Sequence, residues 1–453
     1  MGCAIFGAGE RGLRTFSLFH DQYDIVCFCD NNLAKQGQQF ESLQVIAPEL
    51  LVKNGLEVIV ATVAHFEIAQ QLFAMGIKSF YIVRDNYTID FIDLSVYDDI
   101  SVVPGRVCIL EDVGTGVNAR ALLKYNSYSD IELLVCDRRG VDAASYYTMM
   151  TSELVITQMA EKLIGKKTIE LWHGFPVKAL YGASADTKAH ANTMRVSERF
   201  NARSAVCSYS KLYNLLMDYC IGIRHDLFYE TGMPRNDLLL LSDGKANLNK
   251  LLGRASCSKT VMYAPTFREH QVYGYSSKDM PEGLLFFWQG FLFSDLDEFL
   301  KEHDIMMLIR IHPYELTKIS PFSSDNILFI TDEMLEKAEL SFYELLNASD
   351  MLITDYSSIS IDYLLLDKPI IFTVRDIEEY SRSHGLMLNP FEAWAPGEVV
   401  YEYKCLKEAV HTALYNEDRF KSKRELVRNI THTYNDANSS KRVLDLARSI
   451  MIK

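Results

Sequence analysis

Four segments place ionisable or hydroxyl-bearing residues directly after apolar runs, where strands end and loops begin. In LWHGFPVK, His173 and Gly174 follow the strand-like TIELW, and Lys178 lies in the loop beyond. A histidine, with an ordinary pKa of about 6.5, can take a proton from an alcohol near neutrality, and the glycine lets a substrate approach the backbone. Taken alone, WHG also suits a histidine that only bonds neighbouring carbonyls. In IMMLIRIHPYE, Arg310 and His312 alternate along a strand end and so face the same way, within reach of one anion. Arginine offers a planar fork to phosphate oxygens, and histidine a donor to a departing phosphate. A paired surface arginine and a capping histidine are the plain alternative.

In SDMLITDYSSISIDYLLLDKPIIF, Thr354, Asp355, Tyr356, Ser357 and Ser358 stand between an apolar strand and a helix. Two hydroxyls and the unpaired N–H groups of a helix start make a pyrophosphate cradle without a glycine-rich loop. The plain alternative is that Asp355 or Ser357 is only an N-cap. Asp362, one turn into the helix, is expected either to orient the serines or touch the ligand, or to be a solvated acid. YAPTFREH ends a further strand with Thr266 and Arg268, the latter a second phosphate clamp or an exposed loop arginine.

At the N-terminus, Gly7, Gly9 and Gly12 form GxGxxG between an apolar strand and a helix, the context in which a helix start holds a diphosphate. Asp30 closes the second strand, near the ribose-binding position of a dinucleotide fold. The module resembles the Rossmann-like N-terminal modules of sugar-modifying proteins. A nucleotide, a nucleotide sugar or no ligand at all fits these residues, since the glycines are also what a tight turn needs.

These motifs require parallel strands with helical crossovers. Residues 1–92 alternate strand-like CAIFGAG, DIVCFCD, EVIVAT and SFYIV with helix-like RGLRTFSLF and EIAQQLFAMG, which predicts a small Rossmann-like βαβ domain. Residues 86–105 lack periodicity and read as a connector. Residues 106–232 carry strands at 107–110, 132–136, 168–172 and 204–207, and residues 233–453 carry strands at 260–264, 305–311, 327–330, 351–354 and 369–373 before a helical end. The fold class is α/β, with two successive doubly wound units and a cleft implied between them, because ligands bind outside the carboxyl ends of such strands.

Lys and Arg number 46 against 60 Asp and Glu, a formal charge of −14, so no global basic field draws the chain to nucleic acid or anionic lipid. Any anion must be captured locally. Nine scattered cysteines without zinc-ribbon spacing indicate reduced thiols, and no basic segment leads into a long apolar run at the N-terminus. A cytoplasmic location is the expectation. The most apolar stretch, 284–293, is far shorter than the roughly 20 residues needed to cross a bilayer and reads as a buried helix.

Together WHGFPVK, GMPRND, YAPTFRE, RIHPYE and LITDYSSISIDYLLLDKPIIF resemble, in this order, the CDP-glycerol glycerophosphotransferase family of teichoic-acid and capsule synthesis, over roughly residues 106–400. The later EEYSRSHGLMLNPFEAWAPGEVV, with Gly385, Pro396 and Gly397, is similar too. The resemblance implies a GT-B-like pair of Rossmann-type halves facing across a cleft, with the donor held mainly by the C-terminal half. It also implies catalytic roles for His173 and His312, and places Arg268, Arg310, Ser357 and Ser358 around the donor diphosphate. One departure is Phe175, where the family usually carries a small polar residue; it bears on acceptor or alditol preference. The segment after the WHG loop, GASADTKAHANTMRVSERFNARSAVC, also matches poorly.

The reaction so implied moves a phospho-alditol from CDP-glycerol to a hydroxyl of a lipid-linked or saccharide polymer, releasing CMP, at a peripheral site on the cytoplasmic membrane face. No DxD-like motif stands out, so no metal is called for, although a divalent ion is compatible with the chemistry. The rivals are a transferase of the same fold using CDP-ribitol or a sugar nucleotide, an NAD-dependent oxidoreductase led by GAGERG, and a non-catalytic scaffold.

Overall fold

The computed structural model describes residues 2–84, 87–111, 117–137, 142–160, 163, 166–266, 291–311, 322 and 324–452. Arg268, His312 and most of the apolar stretch (284–290) lie outside the described residues. The chain divides into two compact units, Met1–Val113 with Tyr128–Ile169 and Arg448–Lys453, and Gly114–Ser127 with Glu170–Ala447.

In the first unit, β1 (Cys3–Phe6), β2 (Ile25–Cys29), β3 (Gln39–Phe40), β4 (Leu43–Ile46), β5 (Glu57–Val60), β6 (Ser79–Val83) and β7 (Ile89–Asp93) form a sheet in the order β3-β4-β2-β1-β5-β6-β7. β1 pairs in parallel with both β2 and β5, so the chain builds outward on one side and restarts on the other. That makes the carboxyl end of β1 a topological switch point. The edges are not parallel: β3 and β7 each run antiparallel to their neighbour. β7 lies inside the expected connector 86–105. Its Ile92 is buried while the adjacent Phe91, also apolar, is 57% exposed, so the strand lacks the apolar–polar alternation that one covered face would otherwise give it.

A second ladder in this unit has β8 (Val103–Glu111) between β9 (Glu132–Asp137) and β10 (Ser152–Thr157), all parallel. β10 was no strand expectation. It begins on the residue after helix Ala143–Thr151 ends, with no Gly or Pro to mark the change. Asp142 caps that helix by accepting from the Ser145 N–H (2.7 Å), and the helix sends Tyr146 and Met150 into the core beneath the seven-stranded sheet.

Strand β11 (Lys167–Glu170) ends just before the WHG loop, and in the second unit β12 (Ala205–Ser208) pairs in parallel with β13 (Phe228–Glu230). A further sheet comprises β14 (Lys259–Tyr263), β15 (Ile305–Ile309), β16 (Ile327–Phe329), β17 (Met351–Thr354), β18 (Ile370–Thr373) and β19 (Glu398–Val400), all parallel, in the order β16-β15-β14-β17-β18-β19. The strands are short apolar runs because both faces are covered. One face carries Val261, Met307, Ile353 and Ile371 into a core closed by Leu406 and Val410 of helix Tyr403–Tyr415. The switch point lies between β14 and β17, where YAPT and TDYSS leave the sheet.

Every cysteine is unpaired, seven of them buried. No helix among the described residues is long and apolar enough to cross a membrane.

Candidate active site

The switch point of the last sheet is held together by its own motif residues. Asp355 Oδ1 accepts from the Thr266 N–H (2.7 Å), and Thr354 Oγ1 donates to the Ala264 carbonyl (2.7 Å), so YAPT and TDYSS leave their strands clasped side by side. All three side chains are buried. Tyr356 is fully buried as well. Its ring stacks on Tyr380 (4.3 Å, 20°) and its hydroxyl donates to Asp376 Oδ1 (3.1 Å), which makes it part of the floor. Ser357 and Ser358, in contrast, are half-exposed. The N-cap position of helix Ile359–Tyr363 falls to Ser358, not to Asp355 or Ser357, and the Ser358 side chain makes no capping bond.

The WHG loop approaches these serines. Trp172 adopts a left-handed backbone (φ 58°), with its N–H held by Glu170 Oε1 (3.1 Å), and Glu170 is itself fully buried against Arg203 (3.5 Å). His173 follows with an exposed side chain whose ring lies 4.0 Å from the Trp172 ring. A Cβ added at Gly174 would stand 2.8 Å from Ser358 Oγ and 3.5 Å from Arg235 Nη2. The glycine is therefore required by the close approach of loop and helix start. Phe175 is buried and packs edge-on against Tyr209 (5.6 Å) and Tyr213 (5.8 Å), so its departure from the family pattern alters the support of the loop and not its exposed wall.

The loop is latched further on. Lys178 forms an antiparallel bridge with Leu386, Ala179 N–H donates to the Gly385 carbonyl (3.1 Å), and Met387 N–H donates to the Val177 carbonyl (2.9 Å). The Lys178 ammonium lies 5.8 Å from the centre of the Tyr380 ring, on which His384 also stacks (4.6 Å, 15°).

Beneath the loop lies a buried polar cluster of which only Asp362 was singled out in the sequence. Asp362 is 0% exposed, so neither direct ligand contact nor a solvated acid fits it. Its carboxylate accepts from Arg235 Nη2 (2.6 Å), Tyr343 Oη (2.6 Å) and Tyr209 Oη (3.0 Å). Arg235 also bonds Tyr209 Oη (2.8 Å) and donates from Nη1 to the His173 carbonyl (2.8 Å), while its backbone N–H donates to Asn118 Oδ1 (3.0 Å). Burial pushes the phenols of Tyr209 and Tyr343 well up, so both stay protonated as donors. His432 packs edge-on against Tyr209 (5.5 Å), and burial pushes its pKa down to about 4 against a smaller opposing pull from Asp362.

GMPRND, expected as a turn, is half helix, since Arg235 opens helix Arg235–Leu241; Arg235 enters this cluster, and Asp237 caps the last helix by accepting from the Ser439 and Ser440 N–H groups (2.9 and 2.6 Å). Nearby, Glu344 receives Lys124 Nζ and Arg120 Nε (2.7 Å each) and the Ser341 N–H (2.8 Å); burial would raise its pKa, but these donors outweigh it and hold the carboxylate ionised. Arg310 is engaged by the Ile330 carbonyl (3.0 Å) and by Asp332, with its guanidinium over the Phe342 ring. Among the described residues no group of three or more His, Cys, Asp or Glu is arranged to hold a metal ion.

The glycine motif of the first unit has a different character. Gly7 has φ +119°, and a Cβ at Gly12 would stand 1.9 Å from the Gly7 carbonyl oxygen, so both are needed for the turn and the helix packed on it. Gly9, at the N-cap of helix Glu10–Phe19, has open space where a Cβ would be. Asp30 Oδ2 accepts from the Ala8 N–H (2.9 Å) and Lys35 Nζ (3.1 Å), and Oδ1 from the Asn32 N–H (2.9 Å). Lys35 also reaches the Ala8 carbonyl (2.7 Å), so the acid and its lysine pin the turn.

Comparison with known proteins agrees with the architecture. The fold matches that of the wall teichoic acid polymerase TagF, with a TM-score of 0.61 at 20% identity over 79% of this chain and 92% of that one. This likeness carries the GT-B-like fold. The chain is 27% identical over 290 residues to the teichoic acid ribitol-phosphate polymerase TarK of Staphylococcus aureus, covering 62% of this chain and 52% of that protein. It is 24% identical over 315 residues to the teichoic acid glycerol-phosphate primase of Bacillus subtilis, covering 67% of this chain and 76% of the primase. The matched stretch is thus about half of the polymerase. Residues 1–83 match the family described as C2185-like, N-terminal. Residues 136–448, more than half of the sequence, match the CDP-glycerol:poly(glycerophosphate) glycerophosphotransferase family, and the chain belongs to that family.

Proposed function

We propose that the chain transfers glycerol phosphate from CDP-glycerol to a hydroxyl of a teichoic-acid or capsular polymer, releasing CMP. The observation that carries this reading is the approach of Gly174 to Ser358, which sets an exposed histidine one residue away from a half-exposed helix start at the switch point. The donor diphosphate would lie against Ser357 and Ser358, whose N–H groups and hydroxyls suit anionic oxygens. His173 would take the proton from the acceptor hydroxyl as its oxygen bonds to the alditol-bearing phosphorus. The bond from that phosphorus to the bridging oxygen would break in line, and the electron pair would leave with CMP.

His312 and Arg268, outside the described residues, would stabilise the departing phosphate together with Arg310. This scheme needs no metal; turnover abolished by EDTA and restored by a divalent ion would overturn that part. The acceptor chemistry favours work at the cytoplasmic face of the membrane as a peripheral protein. For the accessory module we assign Gly7, Gly9, Gly12 and Asp30 to a site for an anionic ligand, a reading favoured by the open space at Gly9. Equilibrium dialysis with nucleotides and nucleotide sugars tests it, and no retention of any would remove it.

Transfer of ribitol phosphate from CDP-ribitol is the second reading, because a ribitol-phosphate polymerase and a glycerol-phosphate primase are matched at the same 27% identity. Mass spectrometry of products from CDP-glycerol and CDP-ribitol with lipid-linked acceptors separates the two. Glycerol-phosphate adducts are expected; ribitol-phosphate adducts alone would transfer the assignment, and no adduct from either would sink both.

A further inference from the structure

We propose that Arg235, locked by Asp362, Tyr209 and Tyr343, is a positioning residue that fixes the direction of His173 relative to Ser358. The proposal rests on the reading of His173 as the base and goes beyond it, because none of these four groups touches the reacting atoms.

The backbone around His173 is held at two points: the Trp172 N–H by Glu170 on one side, and the His173 carbonyl by Arg235 on the other. With the Trp172 backbone in the left-handed region, few backbone conformations satisfy both bonds, so together they set the direction in which the His173 side chain leaves the chain. The same guanidinium lies against Gly174 and is bonded to Asp362, four residues along the helix that begins at Ser358. Loop and helix start are thereby tied through a single planar fork. Four bonds fix that fork in one orientation: Arg235 to Asp362 and to Tyr209, and the Tyr209 and Tyr343 hydroxyls to Asp362. An arginine suits this place because its planar donors reach several acceptors at once, which a lysine cannot do. Misplacing a catalytic group by about 1 Å is enough to cost roughly a hundredfold in rate.

The test measures kcat for CMP release, equilibrium donor Kd and thermal melting for full-length Arg235→Gln, Arg235→Lys and Tyr343→Phe. Arg235→Gln is expected to lower kcat about a hundredfold with donor Kd within about threefold of the wild type. Arg235→Lys should recover part of that loss, since an ammonium can hold the His173 carbonyl but not the rest of the fork. A kcat for Arg235→Gln within threefold of the wild type would overturn the proposal. So would donor affinity falling in parallel with kcat, the mark of a merely structural role. Should Arg235→Gln fail to fold, Tyr343→Phe decides: a several-fold lower kcat at unchanged melting and Kd supports the proposal, and an unchanged kcat ends it. His173→Ala in parallel separates the two layers. Full turnover there removes the base and its positioning residue together, whereas an inactive His173→Ala beside a fully active Arg235→Gln removes only the positioning.

Discussion

At the glycine turn of the first unit, polar groups close on one another locally: Asp30 binds the turn at Ala8, 22 residues back, and Lys35 binds both. Around His173 the contacts are long-range and converge from beneath: Arg235 lies 62 residues from His173, and Tyr209 lies 153 from Asp362. The first arrangement uses its motif to stabilise a turn. The second buries its polar groups so that one imidazole and two serines stay exposed in a fixed relation. Polar groups near in sequence pin a turn, whereas groups far apart in sequence hold a loop against a helix start.

That contrast can be broken most severely at the exposed group. His173→Ala should reduce CMP release by about 10³-fold, in the usual range for removal of a general base, with an unchanged melting temperature because the ring is exposed. Asp362→Ala should leave the Arg235 charge buried without a partner and cost about 3–5 kcal/mol of stability, read from the urea midpoint. A loss below about 1 kcal/mol would show that the cluster is not a stability element at all.

His432 offers a pH test of the same cluster. Its folded pKa of about 4 lies below the ordinary 6.5, so between these values the unfolded chain binds the extra proton. The neutral ring's contribution is complete above pH 6.5 and is lost as pH falls toward 4, by up to about 3 kcal/mol. His432→Gln should flatten that part of the stability curve relative to the wild type; curves of the same slope would contradict it. The smallest effect sharpens the comparison in the first unit. Gly9→Ala should change stability by no more than about 0.5 kcal/mol, whereas Gly12→Ala, driven into the Gly7 carbonyl, should cost several times more. Equal losses would mean that Gly9 and Gly12 serve the turn alike.

Much of this was legible in the sequence. Apolar runs ending in WHG, YAPT and TDYSS marked the strand ends, because strands covered on both faces are continuously apolar. The order of these motifs carried the family and the α/β fold. Short edge strands escaped: β13 and β19 have three residues each, too few for a pattern, and β10 starts straight from a helix. Burial escaped too. Asp362, one turn into an amphipathic-looking helix, reads the same whether it faces water or an arginine, and that arginine lies 127 residues away. Arg235 reads in the sequence as part of a turn, and nothing local to a turn says which way its side chain goes. Phe175 was noticed for its departure from the family, but only the rings of Tyr209 and Tyr213 reveal that it points inward.

The latch between Val177–Ala179 and Gly385–Met387 has a consequence in time. A ribosome releases the WHG loop long before it adds the residues that hold it, and Arg235 and Asp362 also arrive later than His173. A nascent chain therefore carries His173 on a loop that lacks its latch until the segment around Met387 has emerged. The geometry of this loop is set late in synthesis, by residues added about two hundred positions after it.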